Sequence, residues 1–187
     1  MELVEELHRH MLKWADRVGM RPEDQADKPW EHVWWPSKAS LVREALRMLE
    51  AGPGDVLLDL GAGDLRASVM ALDEFNVDEC IAVDVNHQVM KEALRFLKAN
   101  GFDKLSRLTA LRADAWTVLP SLAKTATKAL FLAWRVNPQR ALELVEKLPR
   151  AQAVVHNFGD PDTLTLTLLE KHGHEAREAA TAPLREA

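Results

Sequence analysis

The amino-acid sequence predicts an α/β protein with a doubly wound, mainly parallel sheet and helices on both of its faces. Three observations support this fold class. Short, almost wholly apolar runs of strand length alternate with amphipathic helical segments, a glycine turn directly follows the first run, and acidic residues follow the next two. Strands buried on both faces have continuous apolar runs, and right-handed crossovers place the connecting helices over the sheet.

Composition indicates one domain with a full core. The chain has 187 residues, of which 47% are hydrophobic, and its formal net charge of -5 is spread without a block of one sign. Broad attraction to nucleic acid phosphates is therefore not expected, although a local basic patch is not excluded. Cys80 is the only cysteine, so we expect no internal disulfide and a reducing, cytoplasmic location. No segment reads as a signal peptide or a membrane span, so no membrane partner is expected.

Residues 1–36 are expected to form an N-terminal helix and an aromatic linker packed on the core, and residues 37–187 the ligand-binding domain. A helical apolar stripe is formed by Leu3, Leu7, Met11, Trp14 and Val18. A polar stretch then leads to a cluster of large aromatics, Trp30, Trp34 and Trp35. Packing is favoured for this cluster over a lid on a ligand.

The predicted strands lie at residues 56–60, 80–84, 108–114, 129–134 and 151–158. Between them we predict helices from Ser37, over about 65–75, over 87–99 and to about residue 148. Asp160 and Pro161 predict one more helix, to about His172, because they suit a helix cap and first turn. The last residues then have room for one strand. A truncated C-terminal hairpin is therefore expected, with a flatter and more open side that suits a macromolecule.

The residues after the strands carry the chemistry, because open α/β sheets bind ligands beyond the carboxyl ends of their strands. Residues 59–64 read Asp-Leu-Gly-Ala-Gly-Asp, and their small side chains allow a tight turn and close approach of a ligand to the backbone. Asp84 closes the second strand, where a carboxylate can accept hydrogen bonds from both hydroxyls of a ribose. Asp114 and Ala115 follow the third strand and could receive an adenine ring.

This combination resembles the class I S-adenosylmethionine (SAM)-dependent methyltransferases, over about residues 36–158. The resemblance implies a Rossmann-like methyltransferase fold, SAM as the cofactor, and a cofactor site formed by Asp59, Gly61, Ala62, Gly63, Asp64, Asp84, Val85, Asp114 and Ala115. Within that class the chain is similar to small archaeal protein-lysine methyltransferases, which share the Gly63-Asp64-x-Arg66 continuation and similar ends of the fourth and fifth strands.

Three alternatives stay open for the glycine turn. A nicotinamide cofactor also needs a strand, a glycine turn and a later acid, but Arg66 stands where that fingerprint requires its last glycine. The turn could also join strand to helix without any ligand. Finally, Leu65 occupies a position that is often glycine in the class. It is expected to alter the turn or the methionine end of the pocket, and a non-catalytic binding domain is the corresponding hypothesis.

The resemblance implies direct attack of a nucleophile on the methyl carbon, with a protein lysine as the favoured acceptor and RNA or a small molecule as alternatives. Catalytic roles are predicted for His156, Asn157 and Trp134. His156 could relay a proton, although a hydrogen bond to a neighbouring loop explains a histidine there equally well. Asn137 and Pro138 fit a helix cap better than a degenerate Asn-Pro-Pro-aromatic motif. No metal site is predicted, since His8 and His10 point in different directions on a helix and His172 and His174 straddle a glycine.

Overall fold

The computed structural model describes residues 2–25, 27–29, 32–122, 124–132, 142–143, 145–146, 152–156, 165–172 and 175–183. For residues 152–156, 165, 171–172 and 175–183 only the backbone is described. Among the described residues, no helix combines the length and the apolar character that crossing a membrane requires.

Helices and strands alternate through most of the described chain. The helices are α1 (Glu2–Val18), α2 (Ala39–Met48), α3 (Arg66–Asp73), α4 (His87–Ala99) and α5 (Ala115–Leu122), with short 3-10 helices η1 (Pro22–Gln25) and η2 (Asp103–Arg107). The strands are β1 (Val56–Leu60), β2 (Glu79–Asp84), β3 (Leu108–Arg112), β4 (Lys128–Phe131), β5 (Gln152–His156), β6 (Thr165–His172) and β7 (Glu175–Pro183).

The described strands form one seven-stranded sheet in the order β3-β2-β1-β4-β5-β6-β7. The pairs from β3 through β5 are parallel, and β6 and β7 are antiparallel additions at one edge. The chain moves outward from β1 to β3 and then returns to the other side of β1. This confirms the predicted doubly wound, mainly parallel sheet.

Two apolar clusters cover the two faces of the sheet, and β1 contributes to both. Leu57 belongs to the cluster formed with α1, α2, α3 and α4, whereas Leu58 and Leu60 belong to the cluster that includes Leu119 of α5. Successive side chains of a strand point to opposite faces, so a strand covered on both sides must be apolar almost throughout. Helix α1 packs on α3 and α4.

The predicted C-terminal helix and the truncated hairpin are wrong. Residues 165–172 form β6, and β6 and β7 build a full antiparallel hairpin on β5. Thr165 and Thr167 alternate with Leu166 and Leu168, a period of two that specifies a strand. A bulge at Leu168 and Leu169 interrupts that alternation. The prediction of a flatter, more open acceptor side, which depended on a missing hairpin, is therefore wrong as well.

Other departures are local. Helix α5 was not predicted, because it is short and contains Pro120. The third strand ends at Arg112, two residues before the predicted end. Ser37 does not cap α2, whose N-cap residue is Lys38; the Ser37 carbonyl instead accepts a hydrogen bond from Arg66.

Candidate active site

The carboxyl ends of three neighbouring strands meet at one edge of the sheet. Leu60 of β1 is paired with Val83 of β2, and Asp84 is paired with Arg112 at the end of β3. Strand order reverses between β1 and β4 at this edge, which is where open α/β sheets form their ligand crevice. The fold therefore brings together the glycine turn and Asp84, two features that were expected to bind a ligand.

The glycine turn is hydrogen-bonded to the end of β2. The N–H groups of Gly61 and Ala62 both donate to the Val83 carbonyl, at 2.9 and 3.1 Å. Gly61 and Gly63 have φ angles of 74° and 49°, in the left-handed region where glycine carries no Cβ penalty. The absence of side chains at these two positions therefore permits the turn itself.

Asp84 accepts two hydrogen bonds from the backbone around it. Its Oδ2 accepts from the Gly63 N–H at 2.7 Å, and its Oδ1 accepts from the Asn86 N–H at 2.6 Å. Burial raises the pKa of the Asp84 carboxyl above its ordinary value, and the two N–H donors oppose that rise. Each carboxylate oxygen has a second lone pair, so the group can still accept two hydrogen bonds from a ligand.

Most amides of the glycine turn are hydrogen-bonded within the protein. Leu65 N–H donates to the Ala62 carbonyl and Arg66 N–H to Oδ1 of Asp64. Across residues 61–66, the Asp64 N–H is the one amide without an acceptor among the described residues. It is therefore the main-chain donor of this turn that is available to a ligand.

Asp59 lies under the turn and is almost fully buried. Its Oδ2 accepts a hydrogen bond of 2.6 Å from the Ser68 hydroxyl, which joins β1 to α3. Burial raises the pKa of Asp59 from 3.8 to about 7, and the negative charges of Asp84 and Asp64 add to that rise, while Ser68 opposes it. The carboxyl holds a helix against its strand and carries a proton over much of the acidic range.

Asp64 forms a buried ion pair with Arg66, the residue that argued against a nicotinamide site. Arg66 Nη2 donates to Oδ2 of Asp64 at 2.5 Å, and its Nη1 donates to the Ser37 carbonyl at 2.7 Å. His8 of α1 adjoins this pair, and burial followed by the positive charge of Arg66 lowers the pKa of His8. Arg66 thus joins the glycine turn to the segment that precedes α2.

The aromatic linker lies directly on the glycine turn. A Cβ placed on Gly63 would come within 3.1 Å of Cδ1 of Trp34, whose side chain is 4% exposed. Asn86 Nδ2 donates to the His32 carbonyl at 3.1 Å, which fixes the linker to the loop after Asp84. Trp34 is therefore packed against the turn, while Trp35 is half-exposed and Trp30 lies outside the described residues. The local sequence pattern gave no signal for these contacts.

Leu65 was expected to alter the turn or the methionine end of the pocket, but its side chain does not extend into the crevice. It has a φ of 64° at the start of α3, and its side chain is completely buried in the apolar cluster formed with α1 to α4. A left-handed backbone at a branched residue is unfavourable, but burial of the leucine side chain offsets that cost. The idea that Leu65 obstructs the methionine end of the pocket finds no support in this packing.

Asp114, the acid that follows the third strand, caps helix α5. Oδ1 of Asp114 accepts a hydrogen bond of 2.8 Å from the Trp116 N–H at the start of α5, and the Asp114 side chain is exposed. Ala115 is half-buried against the second apolar cluster. Val85, directly after Asp84, is half-buried on the open side of the β2 end.

The acceptor side is described only in part. Phe131 ends β4 and is buried, with its ring edge to face with Trp116 at a centroid distance of 5.2 Å. His156 is the last residue of β5, but its side chain is not described. Trp134 and Asn157 lie outside the described residues. The three catalytic assignments therefore stay predictions.

Comparison with known proteins decides the family. A protein-lysine N-methyltransferase from Saccharolobus islandicus is 30% identical over 124 residues, covering 66% of this chain and 74% of the relative. The chain belongs to the class I SAM-dependent methyltransferases. No protein-family model matches the chain. The enzyme is accordingly a methyltransferase whose cofactor is SAM.

Two further comparisons show how widely this methyltransferase fold is shared. A ribosomal RNA small subunit methyltransferase A from Rhodococcus erythropolis is 30% identical over 137 residues; these are 72% of this chain but only 44% of that longer relative. An RNA methyltransferase from Salinibacter ruber, solved with S-adenosylhomocysteine (SAH), superposes with a TM-score of 0.55 at 16% identity. That superposition covers 82% of this chain and 97% of the other, and it shows a common fold.

Proposed function

We propose that this methyltransferase transfers the methyl group of SAM to a lysine amine of a protein substrate. The observation that supports SAM binding is the hydrogen bond from the Gly63 N–H to Asp84, which fixes the carboxylate to the glycine turn. A lysine acceptor is supported by the similarity to a protein-lysine N-methyltransferase, which extends along 74% of that relative.

The residues at the strand ends would bind SAM through the donors and acceptors that the protein leaves free. Asp84 would accept hydrogen bonds from the ribose hydroxyls with its remaining lone pairs, and Val85 would pack against the adenine. The Asp64 N–H would donate to the methionine carboxylate, which can approach closely over Gly61, Ala62 and Gly63. Asp114 retains Oδ2 for the adenine amino group, beside Ala115.

Asp59 and the Asp64 side chain have a different role in this proposal. Their carboxyl groups are held by Ser68 and Arg66 respectively. We therefore assign them to positioning the turn, while the turn's backbone contacts the cofactor. The side chains of Asp59 and Asp64 are therefore left out of the proposed cofactor contacts, which are made by groups that still have a free donor or acceptor.

SAM supplies a methyl carbon that is already reactive, so the protein mainly has to align the acceptor and exclude water. A lysine amine, with an ordinary pKa near 10.4, must lose its proton before it can attack. Apolar surroundings lower that pKa because they disfavour the ammonium form, and Phe131 and Trp134 would provide such walls. His156 would receive the proton, and Asn157 would orient the amine.

An RNA acceptor is the second candidate, because the chain is also 30% identical to a ribosomal RNA methyltransferase over 72% of its own length. Methyl-labelled SAM added to the enzyme with a cell lysate separates the two. Label that is removed by protease and recovered as methyl-lysine supports our proposal. Label that is removed by ribonuclease contradicts it. The Asp84→Asn variant provides the background, and enzyme with labelled SAM alone tests for self-methylation.

Cytoplasmic location stays a prediction from the single cysteine.

A further inference from the structure

A cleft of about 470 Å³ opens beside the end of β2, next to the proposed ribose site. Its walls come from the aromatic linker, the first residues of α4 and the end of β3. Val85 contributes to its lining, so the cleft begins one residue after Asp84. Nothing in the proposed transfer reaction uses its polar residues.

The described polar lining of the cleft is basic, although the chain as a whole carries -5 and the Asp84 carboxylate interacts electrostatically with His32. Its polar lining consists of Lys28, His32, Asn86, His87, Gln88 and Arg112. None of its lining residues in the described part of the chain is acidic. The Arg112 guanidinium has no ion-pair partner among the described residues, and the Lys28 ammonium has only a contact of 3.5 Å to Oε1 of Gln25. Two fixed positive charges are thus available to a ligand.

The walls of this cleft are held in place by hydrogen bonds, one of which is buried. The Asn86 side chain donates to the His32 carbonyl and accepts from the Val89 N–H, which joins the linker to α4. Gln25, which is fully buried, donates to the Met20 carbonyl at 2.6 Å and fixes the start of the linker. The cationic groups therefore project from a preformed site.

We propose that this cleft binds an acidic side chain of the protein substrate and so selects lysines with an aspartate or glutamate nearby. The proposal rests on the proposed function, protein-lysine methylation. A carboxylate matches the two cations and the neighbouring amide donors. RNA is disfavoured, because a groove for a nucleic acid strand needs a row of cations and aromatic rings for the bases. The described lining has no aromatic side chain other than two histidines.

The sheet fixes how far the acidic residue lies from the target lysine. The cleft is at the ends of β2 and β3, and the proposed acceptor site is at the ends of β4 and β5. In the order β3-β2-β1-β4-β5 these two positions are three strand spacings apart, or about 14 Å. An extended peptide covers that distance in about four or five residues. The preferred acidic residue is accordingly four or five positions from the methylated lysine.

Synthetic peptides with one lysine test this directly. One peptide carries glutamate four and five residues away, the second carries glutamine there, and the third carries lysine. We expect the KM of the unmodified enzyme to be roughly tenfold lower for the glutamate peptide than for the glutamine peptide, as two charge pairs with the exposed Lys28 and Arg112 would give. In the double variant Lys28→Gln/Arg112→Gln this advantage is lost. The control Arg9→Gln/Lys98→Gln removes the same charge from exposed positions outside the cleft and keeps the advantage.

The possible failures are distinguishable. If the enzyme methylates the glutamate and glutamine peptides with equal KM, the cleft proposal is wrong while lysine methylation stands. If no lysine peptide or protein is methylated, the proposed function itself fails. A raised KM for SAM in the cleft variant, with thermal unfolding unchanged, would assign the cleft to the cofactor and overturn the proposal. Preferential methylation of an RNA that competes for the cleft would overturn it as well.

Discussion

The Gly63 N–H donates a hydrogen bond of 2.7 Å to Oδ2 of Asp84, so the last residue of β2 fixes the turn that follows β1. With Asn86 N–H on the other oxygen, the carboxylate is oriented before any ligand arrives. This pre-organisation reduces the ordering cost of binding a nucleoside. Asp84 therefore has two functions: it fixes the glycine turn, and it would contact the cofactor.

Asp84→Asn should weaken binding of SAM and SAH by about 10- to 100-fold, because hydrogen bonds to a charged group each contribute about 1.5–3 kcal/mol. The new amide has one acceptor oxygen, and its NH2 group would face a backbone N–H. Isothermal titration with both ligands measures the effect. Asp103→Asn, on an exposed residue of η2, is the control. Unchanged affinity in Asp84→Asn would exclude the proposed ribose contact.

Gly63→Ala should destabilise the fold by about 1–2 kcal/mol and weaken SAM binding. The residue has a φ of 49°, and its new Cβ would lie 3.1 Å from Cδ1 of Trp34. Two effects are separated by chemical denaturation: the backbone strain at residue 63 and the clash of its Cβ with Trp34. The proteins compared are Gly63→Ala, Trp34→Ala and the double variant. The clash predicts that Gly63→Ala costs about 0.5–1 kcal/mol less when Trp34 is absent. Strict additivity would mean that the two residues do not constrain each other.

Leu65→Gly should lower the free energy of unfolding by about 1–4 kcal/mol. Relief of the left-handed backbone gains about 1–2 kcal/mol, but removal of a fully buried leucine side chain costs about 3–5 kcal/mol. Glu50→Gly is a matched control, since Glu50 has a φ of 49° and an exposed side chain; that variant should be neutral or more stable. Tighter SAM binding by Leu65→Gly would restore the obstruction hypothesis.

Asp59 should make the protein less stable as the pH rises from about 4 to about 7. Its pKa is about 7 in the folded state and near 3.8 when exposed, so the folded state binds more protons in that interval. Stability is therefore highest below the unfolded pKa and is lost as the pH rises through the folded pKa. Asp59→Asn should remove about 2–4 kcal/mol of this pH dependence. Urea unfolding of both proteins at several pH values measures it, and parallel pH profiles would contradict the burial effect.

The strands and the glycine turn were predictable because local patterns specify them. β1 coincides with its apolar run, and α4 coincides with its helical stripe from His87 to Ala99. The prediction of a helix where β6 lies is wrong because the Asp160-Pro161 pair signals a helix start only locally, whereas threonine and leucine alternate over residues 165–168. A helix signal at one point does not override a period of two.

The contacts that complete the site could not be predicted, because they join distant parts of the chain. Asn86 and His32 are 54 residues apart, and Arg66 and Ser37 are 29 apart. Nothing in the spacing of the tryptophans indicates that Trp34 covers Gly63. These pairings depend on how α1 and the linker pack on the sheet, which is a property of the whole fold.

A crystal structure with bound SAH tests the central claim most directly. We expect both Asp84 oxygens within about 3 Å of the ribose hydroxyls, with the amino-acid part of the ligand lying over Gly61 and Gly63. The linker should keep Trp34 on the turn. A ligand bound elsewhere, or an Asp84 side chain turned away from the sugar, would contradict the account.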